Sequence, residues 1–276
     1  MVSFHQMLTN YDAFLIDLWG VIHDGQALYP GVVRVLTELS LAGKPVLFLS
    51  NAPRVSAKAA SRLGELGIGA GLYHGLVTSG QVAHDWLRDA TPFGKNYYYL
   101  GPGKDEDIVA DLPHYVKTPE PADADFILCT GYAYDFQPHE EILPLLARLQ
   151  EAELPMLCVN PDLEVVKQDG TRQLCAGEVA REYQRMGGQV TPIGKPHAEV
   201  YAVCRERLAE AKTFLAIGDN PLTDIKGANV AGIDSLLITG GVLKAESGHL
   251  PSDAEARDIC RLLGVEPTYV LPALSF

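Results

Sequence analysis

Short apolar runs alternate with longer amphipathic segments along the first third of the chain. Ala13–Asp17 is apolar until its last residue, which is acidic, and Pro45–Leu49 is apolar throughout. Between them, Pro30–Ala42 carries apolar side chains at positions 32, 35, 36 and 39, which is the spacing of one helix face, and Gly43 follows as a stop. A helix, a strand and a second helix are predicted next, at Ser56–Leu66, Leu76–Thr78 and Ser79–Asp89. This β-α-β-α-β order predicts a parallel sheet with right-handed crossover connections.

The rest of the chain continues the alternation, with loops rich in proline and aspartate between the elements. Strands are predicted at Tyr97–Leu100, Phe126–Thr130, Met156–Val159, Glu164–Lys167, Arg172–Leu174, Val190–Ile193, Phe214–Ile217 and Ser235–Ile238. Helices are predicted at His139–Glu153, Ala198–Ala211, Thr223–Ala231 and Asp253–Leu263. The pattern therefore predicts an α/β protein. A chain of 276 residues is long enough for two domains, since a domain takes about 100–200 residues.

Charge and cysteine content narrow the partners that the chain can have. It holds 35 acidic and 22 basic residues, a net charge of −13. Such an acidic chain does not neutralise phosphate backbones or anionic lipid, so we predict binding to neither nucleic acid nor membranes. A phosphorylated ligand would have to be bound by local groups, such as a metal ion, backbone amides or a single lysine in the site. The five cysteines are widely spaced and form no Cys-x-x-Cys pair, which favours reduced thiols in a cytoplasmic protein.

Polar side chains follow several of the predicted strands, at the end where open α/β sheets place their sites. They are Asp17 after the first strand, Ser50 and Asn51 after the second, Lys195 before a helix, and Asp219 and Asp224 after the strand at 214–217. A carboxylate can attack phosphorus and form an aspartyl-phosphate. Mg²⁺ held by other carboxylates cancels the repulsion between that carboxylate and a phosphate, and lysine, hydroxyl and N–H groups bind the phosphoryl oxygens. This set of residue types is typical of phosphoryl transfer.

Four segments around these residues resemble, in the same order, the four motifs of the haloacid dehalogenase superfamily. The resemblance is closest to the subfamily with an α/β cap inserted after the second motif, which includes nucleotide, sugar-phosphate, phosphoglycolate and pyridoxal phosphatases. The segments are FLIDLWGVIHDG, VLFLSNAPR, IGKPHAEVY and AIGDNPLTDIKGANVAG, and the middle stretches CVNPD and CAGE resemble parts of that cap. The resemblance implies a Rossmann-like parallel-sheet core of residues 1–78 and 189–276, with an α/β cap of residues 79–188.

The same resemblance implies the role of each site residue. Asp17 is the nucleophile. The carbonyl of Trp19 and the carboxylates of Asp219 and Asp224 join it around Mg²⁺, with Asp224 acting through water. The groups that bind the phosphoryl oxygens are Ser50, Asn51 and Lys195, and Lys195 also screens the charge of the nucleophile. The implied reaction is hydrolysis of a small phosphomonoester, such as a sugar phosphate or a nucleotide.

Trp19 departs from the pattern of the family. The family has a second aspartate at this position, which protonates the leaving oxygen and then activates water, and an indole ring can do neither. General acid–base catalysis is typically worth about 10²–10⁴-fold, so we expect an activity that is reduced or specialised. Trp19 is either a lid over the leaving group or a packing residue. His23 and Asp24 lie in the same loop and are candidates for the missing acid, although a structural role in the loop is the favoured interpretation of both.

Two other functions stay open. A metal-independent dehalogenase also lacks the second acid, but it has no use for the carboxylates of Asp219 and Asp224. A catalytically impaired protein that only binds a phosphorylated ligand would be expected to lose more than one site residue. Asp162 and Glu178 in the cap are weak candidates for substrate contacts. The predicted partner is a small phosphorylated metabolite, and a homo-oligomer is among the assemblies that the sequence allows.

Overall fold

A computed structural model gives the structure of residues 4–90, 92–167 and 169–275. Its strands are β1 (Ala13–Ile16), β2 (Val46–Ser50), β3 (Gly75–Thr78), β4 (Asn96–Leu100), β5 (Val116–Lys117), β6 (Phe126–Cys129), β7 (Met156–Cys158), β8 (Glu164–Val166), β9 (Arg172–Leu174), β10 (Val190–Pro192), β11 (Phe214–Gly218), β12 (Asp234–Ile238) and β13 (Tyr269–Leu271). Its α-helices are α1 (Phe4–Asn10), α2 (Val32–Leu41), α3 (Ser56–Glu65), α4 (Ser79–Asp89), α5 (Leu143–Glu151), α6 (Ala176–Arg185), α7 (Ala198–Arg207), α8 (Lys226–Ala231), α9 (Val242–Ser247) and α10 (Asp253–Leu262). Short 3₁₀ segments lie at Ala70–Leu72, Gly103–Val109, Pro121–Asp123 and His139–Glu141.

The larger sheet has six parallel strands in the order β13-β12-β11-β1-β2-β3. Its central strands are buried along their whole length, because helices cover both faces of the sheet. Phe14 and Ile16 pack in one cluster with apolar residues of α2, whereas Leu15 packs in the opposite cluster with Val200 and Tyr201 of α7. The predicted parallel α/β fold is therefore confirmed.

A second sheet is formed by chain that lies between β3 and α7. Its five parallel strands run in the order β10-β7-β6-β4-β5, and its two faces pack in separate apolar clusters. The strands β8 and β9 form an antiparallel hairpin outside this sheet, with Glu164 opposite Leu174. We refer to this part of the chain, with its helices and hairpin, as the cap.

Several element boundaries differ from the sequence prediction. β10 pairs with β7 in the cap sheet, although residue 189 was predicted as the start of the second core segment. The helix predicted at His139–Glu153 is a 3₁₀ turn followed by α5, because Pro144 occupies the first turn of α5 and lacks an N–H to continue the ladder. The helix predicted at Thr223–Ala231 opens with a π-helical turn at Pro221–Ile225 and continues as α8.

Short elements at the edges of the fold were not predicted. They are α1, α9, β5 and β13. Among the residues that the structure describes, no helix has the length and apolarity needed to cross a bilayer. All five cysteines are unpaired, and four of them are buried, Cys175 being partly exposed.

Candidate active site

The carboxyl ends of the three central strands of the larger sheet gather most of the predicted site residues. β1 lies between β11 and β2, and all three run in the same direction. Asp17 follows the last residue of β1, Ser50 is the last residue of β2, and Asp219 follows the last residue of β11. The N–H of Asp17 donates to the carbonyl of Ile217 at 2.8 Å, which extends the ladder by one residue and fixes the start of the loop.

Three buried carboxylates meet at this edge. Each of Asp17, Asp219 and Asp224 offers an oxygen, and these oxygens lie within 4.8 Å of one another. The Nζ of Lys195 donates to Oδ1 of Asp17 at 2.7 Å and to Oδ1 of Asp224 at 2.6 Å, and its side chain is itself buried. Four of the predicted site residues are therefore in direct contact or immediately adjacent.

The electrostatics of this cluster are unbalanced. Burial raises the pKa of Asp17 to about 8 against the opposing effect of Lys195, and burial together with Asp17 and Asp224 raises the pKa of Asp219 well above its usual value. Burial alone would lower the pKa of Lys195, but the neighbouring carboxylates raise it well above its usual value. The cluster thus has three carboxylates and only one lysine, so its negative charge is not fully compensated. An all-oxygen donor set of this kind fits a hard divalent cation such as Mg²⁺.

Backbone that passes close to Asp219 holds the cluster in shape. Gly20 has φ +83°, and a Cβ built on it would lie 2.1 Å from Oδ2 of Asp219, while a Cβ on Gly241 would lie 1.9 Å from the same oxygen. Oδ2 also accepts the N–H of Val242 at 2.9 Å. Oδ2 of Asp224 accepts the N–H of Asn220 at 3.1 Å, so the π-helical turn after β11 sets the direction of that carboxylate.

Asn51 connects the lysine to the cap. Its Oδ1 accepts the N–H of Lys195 at 2.7 Å, and its Nδ2 donates to the carbonyl of Lys195 at 3.1 Å and to Oδ1 of Asp162 at 3.0 Å. The side-chain amide of Asn51 is thus committed to positioning Lys195. Its predicted role as a phosphate ligand stays a prediction, as does that of Ser50, which also lines the cavity described below and whose Oγ accepts the N–H of Ala52 at 3.2 Å.

Asp162, only a weak candidate from the sequence, binds Asn51 and lines the cavity described below. It belongs to the CVNPD stretch after β7, and burial raises the pKa of its carboxyl to about 6 against the opposing effects of Lys195 and Asn51. Glu178, the other weak candidate, pairs with Arg181 on α6 and is not among the residues that line the cavity described below.

Trp19 spans the gap between the loop after β1 and the cap hairpin. Its Nε1–H donates to the carbonyl of Val166 in β8 at 2.7 Å. The indole is partly exposed and lines the cavity described below. His23 stacks edge-on against it, with ring centroids 6.0 Å apart. Burial lowers the pKa of His23 to about 4, so its ring is neutral at pH 7, and its Nδ1 accepts the N–H of Gly25 at 3.0 Å.

Asp24 shapes the same loop. Its Oδ1 accepts the N–H of Gln26 at 2.9 Å and that of Ala27 at 2.8 Å. These contacts agree with the structural role that the sequence favoured for His23 and Asp24, since both side chains hold the backbone of the loop.

A cavity of about 560 Å³ lies over the cluster, between the larger sheet and the cap. Its walls add residues that the sequence did not single out, because their proximity arises only when the cap folds over the core. They include Arg54, Lys104, Tyr132, Tyr134 and Asp135. Arg54 also joins the two parts of the chain through an ion pair with the buried Asp105, at 3.1 Å.

Comparison with known proteins identifies the family of the chain. Residues 14–112 match a family profile described as haloacid dehalogenase-like hydrolase, and residues 192–275 match one described as HAD-hydrolase-like. A crystal structure of a haloacid dehalogenase-like hydrolase from Brucella suis 1330 superposes with a TM-score of 0.84 and 31% identity, covering 98% of both chains. The chain belongs to the haloacid dehalogenase-like hydrolase family, as its four motifs predicted.

Two relatives of known name are more distant. The glycerol-3-phosphate phosphatase of Gallus gallus is 25% identical over 98% of this chain and 91% of its own length. The acid sugar phosphatase of Staphylococcus aureus (strain USA300) is 25% identical over 87% of this chain and 90% of its own length.

Proposed function

We propose that this protein is an Mg²⁺-dependent phosphatase of small phosphomonoesters that acts through an aspartyl-phosphate on Asp17. The observation that carries the proposal is the buried cluster of Asp17, Asp219 and Asp224 with Lys195, at the carboxyl edge of the larger sheet. The names of the two phosphatase relatives support the same reaction class. The proposed substrate is a small phosphorylated metabolite, because a cavity of about 560 Å³ can hold a ligand of that size.

We assign Asp17 as the nucleophile. Lys195 binds its Oδ1, which orients the carboxylate and leaves Oδ2 as the oxygen that we assign to the attack on phosphorus. Lys195 also supplies a positive charge next to the incoming phosphoryl oxygens, and Asn51 holds the lysine backbone on both its N–H and its carbonyl. Ser50, the last residue of β2, also lines the cavity, and we assign its hydroxyl to a hydrogen bond with a phosphoryl oxygen.

The carboxylates of Asp17, Asp219 and Asp224, with the carbonyl of Trp19, would hold the metal ion. Mg²⁺ supplies the positive charge that offsets the repulsion between a carboxylate and a phosphate. The protein contributes a donor set fixed by backbone contacts, since Val242 and Asn220 each donate an N–H to one of these carboxylates.

The dehalogenase alternative is less well supported. A nucleophile that attacks carbon requires no cation beside it, whereas this chain keeps three buried carboxylates within 4.8 Å of one another.

We also propose that the cap, residues 79–188 with β10 added, moves relative to the core. We further propose that the protein is cytoplasmic, which is consistent with its five unpaired cysteines.

An activity assay of the purified protein tests the proposal. We expect release of p-nitrophenol from p-nitrophenyl phosphate that requires Mg²⁺, is removed by a chelator and is abolished by Asp17→Asn. Asp258→Asn is a matched control, because Asp258 is an exposed residue of α10 paired with Arg261. Absence of turnover on this ester and on a panel of sugar and nucleotide phosphates would refute the phosphatase. Metal-independent halide release from a 2-haloacid would instead favour the dehalogenase.

A further inference from the structure

The indole of Trp19 is held on three sides. Its N–H is used by the carbonyl of Val166, its ring lies edge-on to His23, and its outer edge rests on Gly25, where a Cβ would come within 2.7 Å of the ring carbons. Gly25 has φ +87°, so the loop backbone is also shaped for a residue without a side chain. Trp19 therefore presents a fixed, apolar ring to the cavity beside Asp17.

Two polar side chains of the same loop, those of His23 and Asp24, bond the backbone of the loop. Nδ1 of His23 accepts the N–H of Gly25, and Oδ1 of Asp24 accepts two backbone N–H groups. The ammonium group of Lys195 is held between two carboxylates. The loop therefore uses Nδ1 of His23 and one carboxylate oxygen of Asp24 for its own structure, and position 19, which lines the cavity with Asp17, carries an apolar ring.

We infer that the enzyme selects phosphorylated compounds whose leaving group is a weakly basic oxygen, such as that of a phenol, an enol or a carboxylic acid, and that Trp19 is the specificity-determining residue. The inference rests on the proposed phosphatase function. A planar, weakly basic leaving group can lie against the indole and needs no proton to depart. An alcohol would have to leave as an alkoxide, which is a much poorer leaving group.

The bond changes balance without a protein acid. A carboxylate oxygen of Asp17 attacks phosphorus, the ester P–O bond breaks, and the ester oxygen leaves with the electron pair and later takes a proton from solvent. Water then attacks the phosphorus of the aspartyl-phosphate and the bond to Asp17 breaks. The products are the free carboxylate and inorganic phosphate, and the released proton passes to solvent.

A series of phosphate compounds with leaving groups of rising basicity tests the inference. The probes are acetyl phosphate, p-nitrophenyl phosphate, phenyl phosphate and glycerol phosphate, all assayed with Mg²⁺. For the native chain we expect kcat/KM to fall by about 10²–10⁴-fold from the nitrophenyl ester to the glycerol ester, the range that a general acid usually supplies. Equal kcat/KM values for these two esters would overturn the inference while leaving the phosphatase proposal intact.

Variants at position 19 separate proton transfer from the apolar wall. Trp19→Asp should raise the ratio of kcat/KM for glycerol phosphate to kcat/KM for p-nitrophenyl phosphate at least tenfold, whereas Trp19→Phe should keep the native ratio. Trp86→Phe is the matched control, since Trp86 packs against Phe93 in the cap, away from the cavity. An unchanged dependence in folded Trp19→Asp would count against the inference. Failure to hydrolyse any compound of the series would refute the phosphatase proposal itself.

Discussion

Lys195 owes its position to residues that are distant in the sequence. Asn51 lies 144 positions earlier and binds both the N–H and the carbonyl of the lysine, and Asp162 of the cap binds Asn51 in turn. These hydrogen bonds connect Asp162 of the cap, through Asn51, to Lys195, whose ammonium group binds Asp17. This link gives Asn51 a positioning role.

Asn51→Ala tests that role. The substitution leaves the buried N–H and carbonyl of Lys195 without their partner, so we expect a loss of about 1–3 kcal/mol of stability and a fall in kcat of about tenfold. Circular dichroism melting and steady-state kinetics measure the two effects. Asn229→Ala is the matched control, because Asn229 makes the same pair of bonds to the backbone of Glu266 on the surface. A normal kcat in Asn51→Ala would remove Asn51 from the positioning of Lys195.

His23 gives the protein a predicted acid sensitivity. Because burial lowers its pKa from 6.5 to about 4, the unfolded chain binds a proton in this pH window that the folded chain does not. The free energy of unfolding should therefore fall by about 3 kcal/mol as the pH drops from about 6.5 to about 4. Urea unfolding across this window should show a shallower fall for His23→Gln, whereas the exposed His249→Gln should follow the native curve. Parallel curves for native protein and His23→Gln would contradict the assignment.

The site residues that the sequence predicted share one feature. Asp17, Ser50 and Asp219 each stand at or after the end of a buried parallel strand, and strand ends can be recognised from apolar runs. The contact between Trp19 and Val166 joins residues 147 positions apart, and no local pattern encodes it. The sequence could therefore predict where these candidate site residues lie along the sheet, but not the long-range contacts around them.

At the scale of the element, the loop after β1 is shaped by its closeness to Asp219. Ala at position 20 would place a methyl group 2.1 Å from a carboxylate oxygen, in a backbone with φ +83°. We expect Gly20→Ala to lower kcat/KM by about 10²-fold, since a displacement of about 1 Å in a catalytic group costs that much.

Gly43→Ala isolates the effect of backbone strain. Gly43 has φ +65° with no atom within 4 Å of an added Cβ, so the variant should lose about 1 kcal/mol of stability and keep its activity. Thermal melting and kinetics on the two variants compare strain alone with strain plus contact. Equal activity of both variants would show that Gly20 is not required by the carboxylate.

Elements that pack with helical or strand periodicity were predictable, and short edge elements were not. α2 buries Val32, Val35, Leu36 and Leu39 as its spacing predicts. β13 has three half-buried residues and α9 has six residues, too few for a period to emerge. β10 joined the cap because hydrogen bonds to β7 decide its sheet, which its own three residues do not encode.

At the scale of the whole molecule, the net charge of −13 is partly concentrated in one buried cluster. An ion bound only by the folded state would raise stability by about 2.7 kcal/mol at a hundredfold excess over its Kd. We expect MgCl₂ to raise the melting temperature, with NaCl of equal ionic strength as the control.

Asp219→Asn should separate the charge of the cluster from its metal binding. The variant removes one of three adjacent negative charges while an amide oxygen can still accept the N–H of Val242. We therefore expect a higher melting temperature than that of the native chain without metal, and loss of the shift caused by MgCl₂. A variant that melts lower without metal and still responds to MgCl₂ would contradict this account of the cluster.

The central claim is that Asp17 carries the phosphoryl group, and trapping this intermediate tests it most directly. Native protein is mixed with p-nitrophenyl phosphate and Mg²⁺, quenched in acid, digested and analysed by mass spectrometry. The account predicts one added phosphoryl group on the peptide that contains Asp17, sensitive to hydroxylamine as an acyl phosphate is, and its absence from Asp17→Asn. Turnover with no such label on Asp17, or with the label on another residue, would contradict it.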